Sequence, residues 1–138
     1  MRQQVKSFTV LDKNKSLTFR KPSDRDGYSI HKLIDVCAPL DTNSLYCNLL
    51  QCTHFRDTCV LVEFDGEAVG FLSAYLLPDE TETLFVWQVA VHPDMRGRRI
   101  GQRMLSELLS RTECRNVNKL QTTITRDNKA SWGLFNSF

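Results

Sequence analysis

The run Val89-Ala-Val-His-Pro-Asp-Met-Arg-Gly-Arg-Arg-Ile-Gly101 carries an apolar strand into an amphipathic helix through a loop of arginines and glycines. Such a junction suits an anion, because a helix start presents unpaired backbone N–H groups and the positive end of the helix dipole. Gly97 and Gly101 let a phosphate approach the backbone closely, and Arg96, Arg98 and Arg99 add fixed positive charge. The spacing is neither G-x-x-x-x-G-K-[ST] nor G-x-G-x-x-G, so a Walker loop and a dinucleotide fingerprint are both excluded. The plain alternative is an ordinary strand-to-helix turn with solvated arginines.

A second concentration of polar groups is Asp41-Thr-Asn-Ser44, followed by Tyr46. Any one of Asp41, Thr42, Asn43 and Ser44 can cap the helix that follows, but four in succession exceed what one cap needs. Asn128 opens the last helix, where a cap and a ligand contact are equal contenders. Trp87 reads either as a core tryptophan of an apolar strand or as an aromatic face for a ligand. His54 reads as packing rather than as a base, and His92, beside Pro93, as a loop residue. The five cysteines, Cys37, Cys47, Cys52, Cys59 and Cys114, are odd in number and form no C-x-x-C pair. That pattern suggests neither a disulfide framework nor a metal site, and Cys59 packs as a small hydrophobe.

The elements that must position these groups follow from periodicity and turn residues. Residues 1–16 are polar and aperiodic and read as a flexible N-terminal arm. Leu17–Arg20 is a short strand stopped by Pro22. Ser23 and Asp26 form a capping-box-like start to a helix with the stripe Ile30, Leu33, Ile34, Cys37, ending before Pro39. A second helix carries Leu45, Leu49 and Cys52 on one side. Two strands, 58–64 and 67–77, flank Asp65-Gly66, the strongest short-range hairpin signal. After a charged loop, 83–91 is nearly continuous in apolar residues, as a central strand covered on both faces is. Ile100, Met104, Leu105, Leu108 and Leu109 mark the next helix, 120–125 a threonine-rich strand, and 128–138 a final helix. The result is one mixed α/β layer fold.

With 138 residues the chain is long enough to bury a core without staples. A net charge of +2 with both signs interspersed is no nucleic-acid footprint. No apolar run of signal-peptide or membrane-spanning length is present, so a cytoplasmic protein without membrane contact is expected.

The Arg96-to-Gly101 loop resembles the R-x-x-G-x-G/A pyrophosphate loop of the GNAT superfamily of N-acetyltransferases, with Arg99 where the first glycine usually stands. An arginine side chain there must point away from the ligand. The element order is that of the GNAT fold, a central mixed sheet flanked by helices, and Asn128 with Ala130 matches the family's N-x-A helix. Further blocks, Leu40-Asp-Thr-Asn-Ser-Leu-Tyr-Cys, Cys52-Thr-His-Phe, Asp57-Thr-Cys-Val, Gly70-Phe-Leu-Ser-Ala-Tyr and Thr83-Leu-Phe-Val-Trp-Gln-Val-Ala-Val, are similar to the diaminobutyrate acetyltransferases of ectoine synthesis, a compatible-solute route used in osmotic stress. The resemblance runs from about Leu17 to Phe138. It implies a 17–138 acetyltransferase domain that is C-terminally incomplete, because members of that family continue with one or two further strands.

What the resemblance implies is acetyl transfer from acetyl-CoA to the side-chain amine of L-2,4-diaminobutyrate, without a metal, in a homodimer. The implied donor site comprises Val89, Val91, Arg96, Gly97, Arg98, Arg99, Gly101 and Asn128, with a backbone N–H near Val89 polarising the thioester carbonyl. For the acceptor, Asp41 is the expected ammonium partner, Tyr46 and Trp87 offer cation–π faces, and Asn43 and Ser44 offer neutral hydrogen bonds. Family members often protonate the leaving thiolate with a tyrosine where this chain has Phe135, so Ser131, Tyr46 or water is left for that step, or the thiolate leaves unassisted. Two alternatives stay open: a GNAT enzyme for another small amine or a protein N-terminus, and a non-catalytic acetyl-CoA-binding domain.

Overall fold

The computed structural model describes residues 16–37, 40, 42–124, 126 and 128–137. Among these residues five strands and four α-helices follow one another as β1 (Leu17–Arg20), α1 (Gly27–Asp35), α2 (Leu45–Thr53), β2 (Val60–Phe64), β3 (Glu67–Leu77), β4 (Glu80–Val91), α3 (Ile100–Leu109), β5 (Lys119–Thr122) and α4 (Lys129–Asn136). The expected order of strand, helix, helix, three strands, helix, strand, helix is the observed one. The arm expected over residues 1–16 lies, but for Ser16, outside the described residues, as do Asp41, Thr125 and Phe138.

The strands form one sheet in the order β1-β2-β3-β4-β5, antiparallel except for the parallel β4–β5 pair. Antiparallel neighbours need only short turns, and Asp65-Gly66 supplies one with both φ values positive, 53° and 75°, as a type I′ turn requires. The parallel pair needs a crossover, and α3 provides it.

Strand alternation divides the core in two. Val60, Val62, Leu72, Ala74, Leu84 and Val86 face the stripe Ile100, Met104, Leu105 and Leu108 of α3. Leu61, Phe71 and Ala90 face Ile30, Leu33 and Ile34 of α1 on the other side, together with Cys37, Cys52 and Cys59. Gly27 makes room for α2 against α1, since a Cβ there would stand 2.5 Å from Leu49 Cδ2 and that side chain would have to shift.

Several local expectations are corrected. The helix from Ser23 begins as a 3-10 turn over Asp24–Asp26, with the Asp26 carboxylate accepting the Ser23 N–H at 2.7 Å, before α1 proper. In α2 the buried face is Asn48, Gln51 and Cys52, while Leu45 is exposed. Asn48 and Gln51 bury because they hydrogen-bond each other at 2.9 Å and Asn48 meets His31 of α1 at 3.2 Å. The charged loop is instead the start of β4, because Pro78 and Asp79 alone turn β3 into it. Nor is β4 covered throughout, since Trp87 is 40% exposed. His54 is exposed rather than packed, and β5 ends at Thr122.

Candidate active site

The site lies where β4 outruns its neighbour. β5 pairs with β4 only from Thr83↔Lys119 to Val86↔Thr122, and Thr122 Oγ1 donates to Val86 O at 2.9 Å at the last step. Among the described residues no strand pairs with that edge of β4 from Trp87 to Val91, which is open in this sense. The opening coincides with a bulge: Ser73 opposes Gln88 and Ala74 opposes Val86, leaving Trp87 as the extra residue.

Which backbone groups face the opening follows from strand alternation. His92 donates its N–H to Val69 O at 2.8 Å, and Gln88 donates its own to Ser73 Oγ at 3.1 Å, so both point toward β3. Val89 and Val91, offset by one residue, direct their N–H and C=O groups to the opposite, open edge. Val91 O accordingly accepts from Cys37 Sγ and Arg96 Nε, each at 3.3 Å.

A cavity of about 340 Å³ continues from this edge to the start of α3, walled by Val89, Val91, Cys37 and Met95, by Arg96, Gly97, Arg99, Ile100, Gly101 and Gln102, and by Asn128, Ser131 and Leu134 of the α4 end. The helix start is chemically open. Arg99, the residue before α3, makes no side-chain cap, and the first turn-to-turn bond is Arg103 N–H to Arg99 O. The N–H groups of Ile100, Gly101 and Gln102 therefore lack i−4 partners and face the cavity end of the dipole. The other two helices near the site differ: Ser44 Oγ caps α2 by accepting from Cys47 N–H, and Asn128 Oδ1 caps α4 by accepting from Ser131 N–H. Two arginines and no carboxylate line the cavity among the described residues. Arg99 is at φ 58°, in the left-handed region, and is an exposed residue at the cavity wall. Gly97, at φ 83° with open space around it, is a glycine for its backbone angle.

A smaller hollow of about 40 Å³ adjoins, lined by Trp87, Gln88, Val89, Thr122, Ile124 and Phe135 among others. Trp87 packs edge-on to Tyr75 at 6.2 Å, in a chain of rings that includes Phe85 and Phe55. Asn43 Nδ2 donates to Gln88 Oε1 at 2.8 Å, tying the segment before α2 to the bulge.

Of the donor-site residues expected from the sequence, the fold gathers Val89, Val91, Arg96, Gly97, Arg99, Gly101 and Asn128 around one cavity. Arg98 is exposed and off its wall. Of the acceptor-side residues, Trp87 is the extra residue of the bulge, Asn43 bonds its neighbour Gln88, Ser44 is engaged as a cap, Tyr46 is 69% exposed, and Asp41 lies outside the described residues. Sequence reasoning missed Cys37, Met95, Gln102, Ser73 and Gln88. For the last two a signal existed: each is a polar residue inside an otherwise apolar strand. The cysteines behave as packing residues, burial pushing the Cys52 and Cys59 thiols up to about 12. His92 is buried with Nδ1 accepting the Asp94 N–H, and that burial lowers its pKa.

The acetyltransferase (GNAT) family profile matches residues 27–138. The chain belongs to the GNAT family of acetyltransferases. Among its relatives, the L-2,4-diaminobutyric acid acetyltransferase of Vibrio cholerae is 53% identical over 117 residues, covering 85% of this chain and 68% of the relative. That of Vibrio parahaemolyticus is 52% identical over 124 residues, covering 90% and 68%. The solved structure of diaminobutyrate acetyltransferase EctA from Paenibacillus lautus, in complex with L-2,4-diaminobutyric acid and coenzyme A, superposes with a TM-score of 0.87 at 41% identity, covering 89% of this chain and 74% of that one. This GNAT chain thus spans about two thirds of the relatives' length.

Proposed function

We propose that the chain transfers the acetyl group of acetyl-CoA to the side-chain amine of L-2,4-diaminobutyrate, giving N4-acetyl-diaminobutyrate for ectoine synthesis. The observation that carries this reading is the meeting, in one cavity, of an open β4 edge with an uncapped helix start. A pantetheine arm is an amide chain that can pair like a strand, and a pyrophosphate needs N–H donors and cations; the two features supply these in that order. The relatives at 52–53% identity and the Paenibacillus lautus enzyme, solved with diaminobutyric acid and coenzyme A, supply the substrate.

The Ile100, Gly101 and Gln102 N–H groups hold the pyrophosphate, with Arg96 and Arg99 as counter-charges. Val89 and Val91 pair with the pantetheine amides, and Val89 N–H polarises the thioester carbonyl. Acetyl-CoA supplies an activated acyl carbon, so direct attack by a neutral amine needs no covalent enzyme intermediate. An amine titrating like a lysine is neutral about one part in a thousand at pH 7, a cost of roughly 4 kcal/mol that a proton acceptor must offset. Asp41, adjacent in sequence to the cavity-lining Leu40, is our choice for the ammonium's partner, with the half-exposed Trp87 as its aromatic face. Phe135 borders the smaller hollow and cannot donate a proton; Ser131, lining both cavities, is our choice over Tyr46 or water to meet the departing thiolate. The free thiols, four of the five buried, suit a reducing cytoplasm. We read the assembly as a homodimer, as the family resemblance implies.

Mass-spectrometric detection of acetylated product after incubating the chain with acetyl-CoA and a panel of amines tests the reading. Diaminobutyrate is expected to be acetylated at N4 with the highest kcat/KM; a preference for any other amine would overturn the assignment.

A further inference from the structure

Ser73 stands in β3 between Leu72 and Ala74 and is fully buried. An alanine would fill nearly the same space without a polar atom to satisfy, so the hydroxyl is justified only by what it bonds. It accepts the Gln88 N–H at 3.1 Å, at the step where the β3–β4 register shifts around Trp87. Gln88 is gripped a second time through its side chain, whose Oε1 accepts from Asn43 Nδ2 at 2.8 Å. Between them these bonds fix the rotation of one peptide unit in the bulge. The next N–H along the strand, that of Val89, then has its direction set toward the open edge.

We propose that Ser73 is a positioning residue for acyl transfer: by pinning Gln88 in the bulge it keeps the Val89 N–H aimed across the open edge of β4. The proposal rests on the acetyltransferase reading above. Ser73 touches neither substrate and acts through Gln88 alone. Its effect falls on kcat, because an N–H aimed at a developing oxyanion acts in the transition state, whereas the pyrophosphate end of the donor is held elsewhere, at the start of α3.

The test compares Ser73→Ala and Ser73→Cys with the unaltered chain, reading kcat and KM by mass spectrometry of the acetylated product, and amide hydrogen exchange at Gln88. Ser73→Ala is expected to lower kcat about tenfold while the KM for acetyl-CoA stays within about twofold. Ser73→Cys, with a weaker acceptor of similar size, should fall between, and exchange at Gln88 should quicken in the same order while Leu61 and Phe71 stay protected. Unchanged kcat in a folded Ser73→Ala, or a loss confined to KM, would overturn the proposal. Should Ser73→Ala fail to fold, Ser73→Cys decides it by the same readings. If the unaltered chain prefers another amine, the functional reading fails but the kcat comparison is made on that amine. If it acetylates nothing, exchange decides alone: quickening at Gln88 upholds the pinning, and unchanged exchange removes it.

Discussion

Arg99 occupies a backbone conformation that costs an L side chain about 1–2 kcal/mol, and it does so directly before the helix whose N–H groups we assign to pyrophosphate. Replacing it with glycine relaxes the backbone but removes a cation from the cavity wall. Arg99→Gly is therefore expected to raise ligand-free stability by about 0.5–1 kcal/mol, read from denaturant midpoints. The same variant should bind coenzyme A more weakly, with the deficit largest at low salt. A variant neither more stable nor weaker in binding would refute both parts. The sequence was informative here to a definite depth. The resemblance to R-x-x-G-x-G/A marked Arg99 as standing at a glycine position, and φ 58° is why glycine is usual there. That the residue also borders the cavity depended on how α4 closes over α3, which no local pattern encodes.

At the scale of elements, the loop between β4 and α3 is organised by His92. Its Nδ1 accepts the Asp94 N–H at 3.1 Å and its backbone N–H reaches Val69 O, so the imidazole must be neutral on that nitrogen. Burial, its largest influence, lowers the folded pKa below the ordinary 6.5; Asp94 opposes and Arg96 adds to the lowering. The folded state thus takes up this proton later than the unfolded chain. The contribution to stability is complete above about pH 6.5 and is lost as pH falls toward the lowered folded pKa. Melting temperatures taken from pH about 7.5 down to about 5.5 should decline less in His92→Asn, whose amide oxygen also accepts the Asp94 N–H, than in the unaltered protein. Parallel declines would show that His92 does not govern the loop. Elements themselves were readable because their signals are local: the Ile30, Leu33, Ile34, Cys37 stripe and the Ile100, Met104, Leu105, Leu108 stripe of α3 bury as expected, and Asp65-Gly66 makes the expected turn. The face of α2 was not. Leu45, Leu49 and Cys52 fit the helical period as well as Asn48, Gln51 and Cys52 do, and the choice was made by α1, where Gly27 admits Leu49 and His31 meets Asn48. The bulge at Trp87 was equally hidden, since it arises from a mismatch between two strands rather than from either one.

Across the whole molecule, long-range ties bind the ends of the fold to its middle. Arg20 of β1 pairs with Glu63 of β2 and with Asp26, and Lys21 bridges Asp57 and Glu113 at 3.1 and 3.2 Å. Arg111 Nη1 donates to Asp57 O and Cys59 O, joining the end of α3 to the entry of β2. The heart of the sheet needs none of these, because β2, β3 and β4 are neighbours in sequence and in space. Contacts of low sequence separation form fastest. Val69→Ala, in the β2–β3–β4 core, should chiefly slow refolding, whereas Leu134→Ala, in α4, should chiefly speed unfolding. Equal partitioning in stopped-flow chevrons would contradict that order. The sheet order has a consequence for synthesis on the ribosome. Strands β1 to β4 can pair as they emerge, but the β5 register that leaves the Trp87–Val91 edge open, and the α4 wall facing Gly101, wait for the crossover to be completed. The nascent protein therefore carries a sheet before it carries a site, and a donor molecule has nothing to bind until nearly the last of these residues has been translated.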